Sequence, residues 1–428
     1  MEAGHGDGAS FGAGLRAQLT AAPPSSSPST QRWGGEQTDT QQPHQRRRAI
    51  PMNIAPTPKD TIFEHGGASL YRFRRPEGVE PVDAPPVLLV PSMINRWYVL
   101  DLRPGASLVK ALVEAGFDTW CLDWGIPEDE DRYLTWDDVL GRLGRMVRRT
   151  KRRTGADKIG LLGYCMGGTL TAIYAALEPD DIAALVSLTA PIDFSKAGLL
   201  GHLVDERWFD PEALTEAGNL QPSQMQSGFV TLRPTGQISK WVLLADKGHD
   251  PDFVDAFWAL EEWVGDNIPF PAAAYVTYIR ELYQENRLVK GEHYVDGRRV
   301  ELENIECPLL TITADRDDIC PPDAGLALDD LVGSEDTERL SVSGGHVGAV
   351  VGSRGPKVLY PSVVEWFDDR LSGRPDAALV ERARAALKED DYNRMRSVLA
   401  ETESAPATGT KDDIREKLQA FVESAASI

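Results

Sequence analysis

The stretch Gly163-Tyr164-Cys165-Met166-Gly167-Gly168 sets a thiol between glycines, at the junction of an apolar run and a helical pattern. A thiolate is a strong nucleophile toward acyl groups, and it works best when a turn presents it free of its neighbours. A nucleophile elbow needs a sharp, strained turn with small residues two before and two after the nucleophile, so that strand and helix can approach. Gly163 and Gly167 meet both requirements. The turn would lift the Cys165 sulfur above a sheet edge, beside a helix N-terminus that favours the thiolate. Taken alone, Gly-x-Cys-x-Gly also describes a buried, inert cysteine. The strand before it and the helix after it favour the nucleophile.

An elbow predicts an acid and then a histidine further along, each just after a strand. After the apolar run Pro308–Ala314 comes Asp315-Arg316-Asp317-Asp318-Ile319-Cys320-Pro321-Pro322, and after Glu338–Ser343 comes Gly344-Gly345-His346-Val347-Gly348. His346 is therefore the expected base, and His202, His249 and His293 are read as ordinary core or surface histidines. Three aspartates compete for the acid. Asp317 ranks first, because the apolar Ile319 and Cys320 that follow it should tuck inward; Asp315 ranks second and Asp318 third. The oxyanion hole is expected from the backbone N–H of Met166 and one N–H of the loop Pro91-Ser92-Met93-Ile94-Asn95, with Ile94 as candidate. No metal-ligand spacing occurs among the seven histidines, and no metal is expected.

These residues need a parallel sheet to bring them together. Pro86–Pro91 reads as a buried strand, Ala106–Ala115 as a helix, and Asp118–Trp124 as the next strand. Thr135 and Asp138 form a capping-box pattern ahead of Trp136, Val139, Leu140, Leu143, Met146 and Val147 at helical spacing. Lys158–Gly163, Thr169–Leu177 and Ile182–Ala190 continue the alternation, which predicts an α/β fold with a mostly parallel sheet and helices on both faces. The rhythm breaks in an aromatic-rich, helical stretch that would lie over the site as a lid. Any single aromatic there is read first as filler of the insertion's own core. The expected organisation is a disordered leader at 1–55, core at 56–194, helical lid at 195–304, core at 305–372 and a helical tail at 373–428. In the tail, Ala377–Leu399 and Asp412–Val422 read as two amphipathic helices, able to dock a partner or to pack on the body.

Sixty-six acidic against 45 basic residues give a net charge of −21, which argues against binding a phosphate backbone. The acidic surface fits either a salt-adapted source or a GC-rich genome. No apolar run is long enough for a membrane span and no signal pattern opens the chain, so a cytoplasmic protein is expected. Arg46-Arg47-Arg48 reads as a solvated charge run, with a targeting patch as the alternative.

Beyond the cysteine box, three further pieces carry a resemblance: Pro91-Ser92-Met93-Ile94-Asn95-Arg96-Trp97-Tyr98-Val99-Leu100-Asp101-Leu102, Thr135-Trp136-Asp137-Asp138, and Gly345-His346-Val347-Gly348. The chain resembles the polyhydroxyalkanoate synthases, particularly the class III catalytic subunit, over most of residues 60–370. The resemblance implies an α/β-hydrolase fold and polymerisation of (R)-3-hydroxyacyl-CoA into polyester with release of CoA. It implies that Cys165 carries the chain, that His346 activates thiol and hydroxyl, and that Asp317 supports the base. The CoA thioester is the substrate, and no cofactor is implied. A companion synthase subunit, a homo- or hetero-oligomer and association with the polyester granule are implied as well. The chain departs from the pattern in three ways: Asp318 stands where the family usually has His, the long N-terminal domain of class I synthases is lacking, and the tail helices are additional. The competing readings are a cysteine hydrolase, like dienelactone hydrolases or polyester depolymerases, and a non-catalytic granule protein.

Overall fold

The computed structural model describes residues 53–372, 377–403 and 409–426. The expected leader falls outside the described residues as far as Met52, and so does Arg46-Arg47-Arg48.

Mostly apolar four- to seven-residue runs become strands, nearly all buried on both faces, as a parallel sheet requires. They are β3 (Val87–Val90), β4 (Thr119–Asp123), β5 (Ile159–Tyr164), β6 (Ile182–Leu188), β7 (Leu309–Ala314) and the more exposed β8 (Thr337–Val342). All six pair in parallel. A hairpin that the alternating pattern did not reveal, β1 (Lys59–His65) and β2 (Ala68–Phe73), adds to β4 antiparallel. The eight strands run in the order β1-β2-β4-β3-β5-β6-β7-β8.

Alternation along each strand sorts side chains onto two faces. Leu88, Val90, Leu161 and Leu185 join one core with α2 (Trp136–Thr154) and α3 (Met166–Leu177). Val87, Leu89, Leu162, Val186 and Ile312 join the other with α1 (Leu108–Glu114) and a helix near the end of the core, Tyr360–Leu371. Helix α2 starts where expected: Thr135 and Asp138 bond each other's backbone N–H, and Gly155 closes the helix in the left-handed region at φ 78°. Trp136, Val139, Leu140, Leu143, Met146 and Val147 all face the core.

Between β6 and β7 the chain leaves the sheet. After two short helices come α4 (Pro222–Leu232), α5 (Gly236–Lys247), α6 (Pro251–Gly265) and α7 (Ala272–Thr277), the last continuing as a wider turn of helix over Tyr278–Gln284. Leu220 and Phe270 exchange both backbone hydrogen bonds at 2.9 Å, so α4–α6 form an out-and-back excursion closed at its base.

The tail differs from the expectation of two helices. Three occur, α9 (Ala377–Glu389), α10 (Tyr392–Glu403) and α11 (Lys411–Ala426), if Tyr360–Leu371 is counted as α8. The break falls at Asp390, whose φ is 53°, and Asp391, whose carboxylate accepts the N–H groups of Asn393 and Arg394 and so starts a new helix. Ala383, Ala386, Met395, Val398, Ile414 and Leu418 are the shared core of the three.

Candidate active site

Strand β5 ends and α3 begins with a single residue between them, Cys165, at φ 56° and ψ −130°. A non-glycine residue rarely adopts this conformation, and holding it costs about 1–3 kcal/mol. The surroundings enforce it. A Cβ on Gly167 would run into the carbonyl oxygens of Val90 and Pro91, and one on Gly163 into Thr171 and the backbone of Gly167 and Gly168. The helix therefore starts at Met166, earlier than the sequence pattern suggested, with Cys165 as its N-cap residue.

The loops after β7 and β8 meet close by. His346 Nδ1 lies 2.7 Å from Asp317 Oδ2, and both residues are buried, at 7% and 5% exposure. Asp317 Oδ1 accepts the N–H groups of Ile319 and Cys320, each at 2.9 Å, which fixes the carboxylate without a counter-cation. The Tyr164 ring lies against the imidazole, centroids 5.4 Å apart. His346 Nε2 is shut off from solvent and makes no full hydrogen bond. Burial pushes the His346 pKa down, but the Cys165 sulfur and then the Asp317 carboxylate push it up further, to about 10. The His346 pKa thus responds to both Cys165 and Asp317, although the three lie far apart in the chain.

The other two aspartates do different things. Asp315 accepts the N–H of Gly344 at 2.8 Å and so braces the loop that carries His346. Asp318 is exposed and forms an ion pair with Arg233, the residue that ends α4; Arg233 also donates to the carbonyl of Arg316 at 2.9 Å. Of the remaining histidines, His293 is fully buried against Glu281, with Nδ1 to Oε2 at 2.9 Å.

Cys165, Met166 and Ile94 open into a cavity of about 180 Å³. Its walls are almost wholly apolar: Met225 and Phe229 of α4, Tyr278 and Tyr283 of the wide turn, and Ile319 beside the acid. Apart from Ile319, these wall residues carry no individual signal in the sequence. For the insertion the signal is its aromatic density, and the structure divides those aromatics. Phe209, Phe229, Phe270, Tyr275, Tyr278 and Tyr283 face the cavity, Trp263 is buried away from it, and Trp208 and Trp241 are exposed.

The long motif at 91–102 proves to be a socket for the insertion as well as the loop behind Ile94. Trp263 of α6 donates its indole N–H to the carbonyl of Arg96 at 2.9 Å, and Tyr98 donates to Asp266 at 2.7 Å. Asp101 is fully buried and accepts three hydrogen bonds, from the Thr57 N–H at 3.0 Å, the Thr57 hydroxyl at 2.8 Å and the Ser107 hydroxyl at 2.6 Å.

Residues 85–352 match the alpha/beta hydrolase fold family, and residues 31–112 match the N-terminus of poly-beta-hydroxybutyrate polymerase (PhaC). The poly(3-hydroxyalkanoate) polymerase subunit PhaC of Haloferax mediterranei is 34% identical over 84% of this chain and 72% of its own length. Its counterpart from Haloarcula marismortui is 33% identical over 79% of this chain and 73% of its own. The one from Allochromatium vinosum is 35% identical over 73% of this chain and 89% of its own. The chain belongs to the PhaC polymerase family. Within this family member, the cysteine elbow, Ile94 of the socket and Ile319 beside the acid share the wall of one cavity. No group of three or more His, Cys, Asp or Glu side chains able to hold a metal ion occurs among the described residues. No helix among them is long and apolar enough to cross a membrane.

Proposed function

We propose that this chain polymerises (R)-3-hydroxyacyl-CoA into polyhydroxyalkanoate through a thioester on Cys165, with His346 as base and Asp317 as its support. Membership of the PhaC family supports the reaction class. The observation that carries the residue assignment is the buried Asp317–His346 pair, whose free Nε2 and raised pKa are coupled to the thiol of the elbow.

In the first step the Cys165 sulfur attacks the thioester carbon of the substrate after passing its proton to His346 Nε2. A raised pKa lets the imidazole hold that proton until the departing sulfur of CoA takes it. Negative charge on the carbonyl oxygen is received by the backbone N–H groups of Met166 and Ile94. The C–S bond to CoA then breaks, and CoA leaves as a thiol with the proton from His346. One thioester has replaced another, so the acyl enzyme stays reactive. The 3-hydroxyl of an incoming hydroxyacyl-CoA, deprotonated by His346, attacks this thioester; a new ester bond forms and Cys165 leaves. The product is a CoA thioester one unit longer. Cys165 recaptures it, releasing one CoA per unit added. An apolar cavity under α4 and the wide turn keeps water from competing at the acyl carbon, and the helical insertion is therefore read as a lid.

The same reading places the protein in the cytoplasm at the polyester granule, with a companion synthase subunit and without a cofactor. The exposed Ile238, Trp241 and Val242 on α5 suit a contact with an apolar surface. A cysteine hydrolase would use the same three residues but give free acid. Incubation with 3-hydroxybutyryl-CoA separates the two: insoluble polyester with stoichiometric CoA is expected, and soluble 3-hydroxybutyrate alone would refute polymerisation. Cys165→Ala should abolish CoA release at unchanged circular dichroism; full activity in that variant would refute a covalent route.

A further inference from the structure

The loop that carries Ile94 is tied to the insertion at two consecutive residues. The carbonyl of Ile94 accepts the N–H of Ile268 at 3.4 Å, and the side-chain amide of Asn95 donates to the Asn267 carboxamide oxygen. Asn267 in turn donates to Gln226 Oε1 at 3.1 Å. Gln226 sits on α4 between residues that line the cavity, Met225 on one side and Gly228 and Phe229 on the other. Three amides thus run from the cavity wall to the residue next to Ile94. The Ile94 N–H itself has only a long contact, 3.5 Å, to the Ser92 hydroxyl, so its direction is set by how the peptides around it are held.

We infer that the Gln226–Asn267–Asn95 amide chain positions the Ile94 N–H for the oxyanion, so that α4 must be seated over an acyl group before the thioester is activated. Gln226 and Asn267 are positioning residues: neither reaches the reacting atoms, and both act through the loop. This rests on the acyl-transfer reading above, and on Ile94 as one of the two donors. The consequence is that an empty or wrongly filled cavity, with α4 displaced, leaves the developing charge short of a donor even though Cys165, His346 and Asp317 are in place. A donor moved by about 1 Å costs on the order of a hundredfold in rate.

The test compares two reactions of the same sulfur. Acyl transfer from 3-hydroxybutyryl-CoA, read as single-turnover CoA release, passes through an oxyanion. Alkylation by iodoacetamide, read by mass spectrometry of the Cys165 peptide, does not. Gln226→Met keeps the side chain's length but cannot accept from Asn267, whereas Gln226→Glu can. The expected result for Gln226→Met is CoA release slower by about ten- to a hundredfold, with KM within about twofold and the alkylation rate unchanged. Gln226→Glu should recover most of the loss. Three outcomes overturn the inference: acyl transfer at the wild-type rate in Gln226→Met, an equal fall in both reactions, or no recovery in Gln226→Glu. A wild-type protein that is alkylated yet releases no CoA would sink the polymerase reading and this inference with it.

Discussion

Around Cys165 the backbone is placed by what cannot fit. Strand β5, α3 and the carbonyls of Val90 and Pro91 approach so closely that positions 163 and 167 have no room for a Cβ, and the chain between them is forced to φ 56°. Residues 221–269 are placed differently. The excursion is closed at its base by a backbone pair, and beyond that it is held by the apolar packing of Ala259 and Trp263 and by scattered polar contacts: Ile268 to Ile94, Trp263 to Arg96, Tyr98 to Asp266, Arg233 to Asp318. Steric exclusion leaves a signature in the residue types themselves. A polar contact across 85 positions or more leaves none, because an Asn or Asp looks the same whether or not its partner exists. The comparison separates a rigid turn at Cys165 from an insertion whose seat can be adjusted.

The contrast can be broken by substitution. Gly167→Ala should have the largest effect, because backbone carbonyls cannot move aside. A loss of about 3 kcal/mol or more in unfolding free energy is expected, with activity gone; a denaturant melt within about 0.5 kcal/mol of wild type would show that the elbow is not sterically fixed. Asp317→Asn should leave the fold intact and lower kcat by about 10³- to 10⁴-fold, since the imidazole loses both its orientation and its counter-charge. The sign of its pH effect comes from the same contact. Asp317 helps to raise the His346 pKa to about 10, so without it the imidazole gives up its proton at lower pH. Nuclear magnetic resonance titration of His346 should show a downward shift; an unchanged midpoint would count against the pairing. Stability should respond too. A histidine with a raised folded pKa stabilises fully below its unfolded value of about 6.5 and loses that contribution as pH rises towards about 10. The smallest effect is expected for Asp318→Asn. Its ion pair with Arg233 is solvent-exposed and worth about 0–1 kcal/mol, so kcat should change by less than about threefold and the melting temperature by little. A hundredfold loss there would mean that the excursion depends on this one contact far more than its exposure implies.

Legibility in the sequence divides along the same line. Buried strands, the Thr135 cap, the elbow and the order acid-then-histidine all depend on local composition or on topology, and each could be read. Asp317 could be ranked above its neighbours because Ile319 and Cys320 had to go inward, and those residues are the ones whose N–H groups bind its carboxylate. The edge hairpin was missed because β1 and β2 mix polar and apolar residues with no turn signal stronger than Gly66-Gly67. The tail was read one helix short, since Asp390 and Asp391 look like ordinary helix-surface acids until Asp391 is seen to cap α10. Asp318, the third-ranked acid, faces the insertion rather than the imidazole. Only a fold could reveal that.

The three hydrogen bonds that converge on the carboxylate of Asp101 set a limit for anyone shortening this protein. Two come from Thr57, which precedes every strand of the sheet. Trimming the gene to start at β1 would leave Asp101 Oδ2 without a donor and Oδ1 with Ser107 alone, at a fully buried position. A safe start codon therefore lies upstream of Thr57, however dispensable that stretch looks on paper.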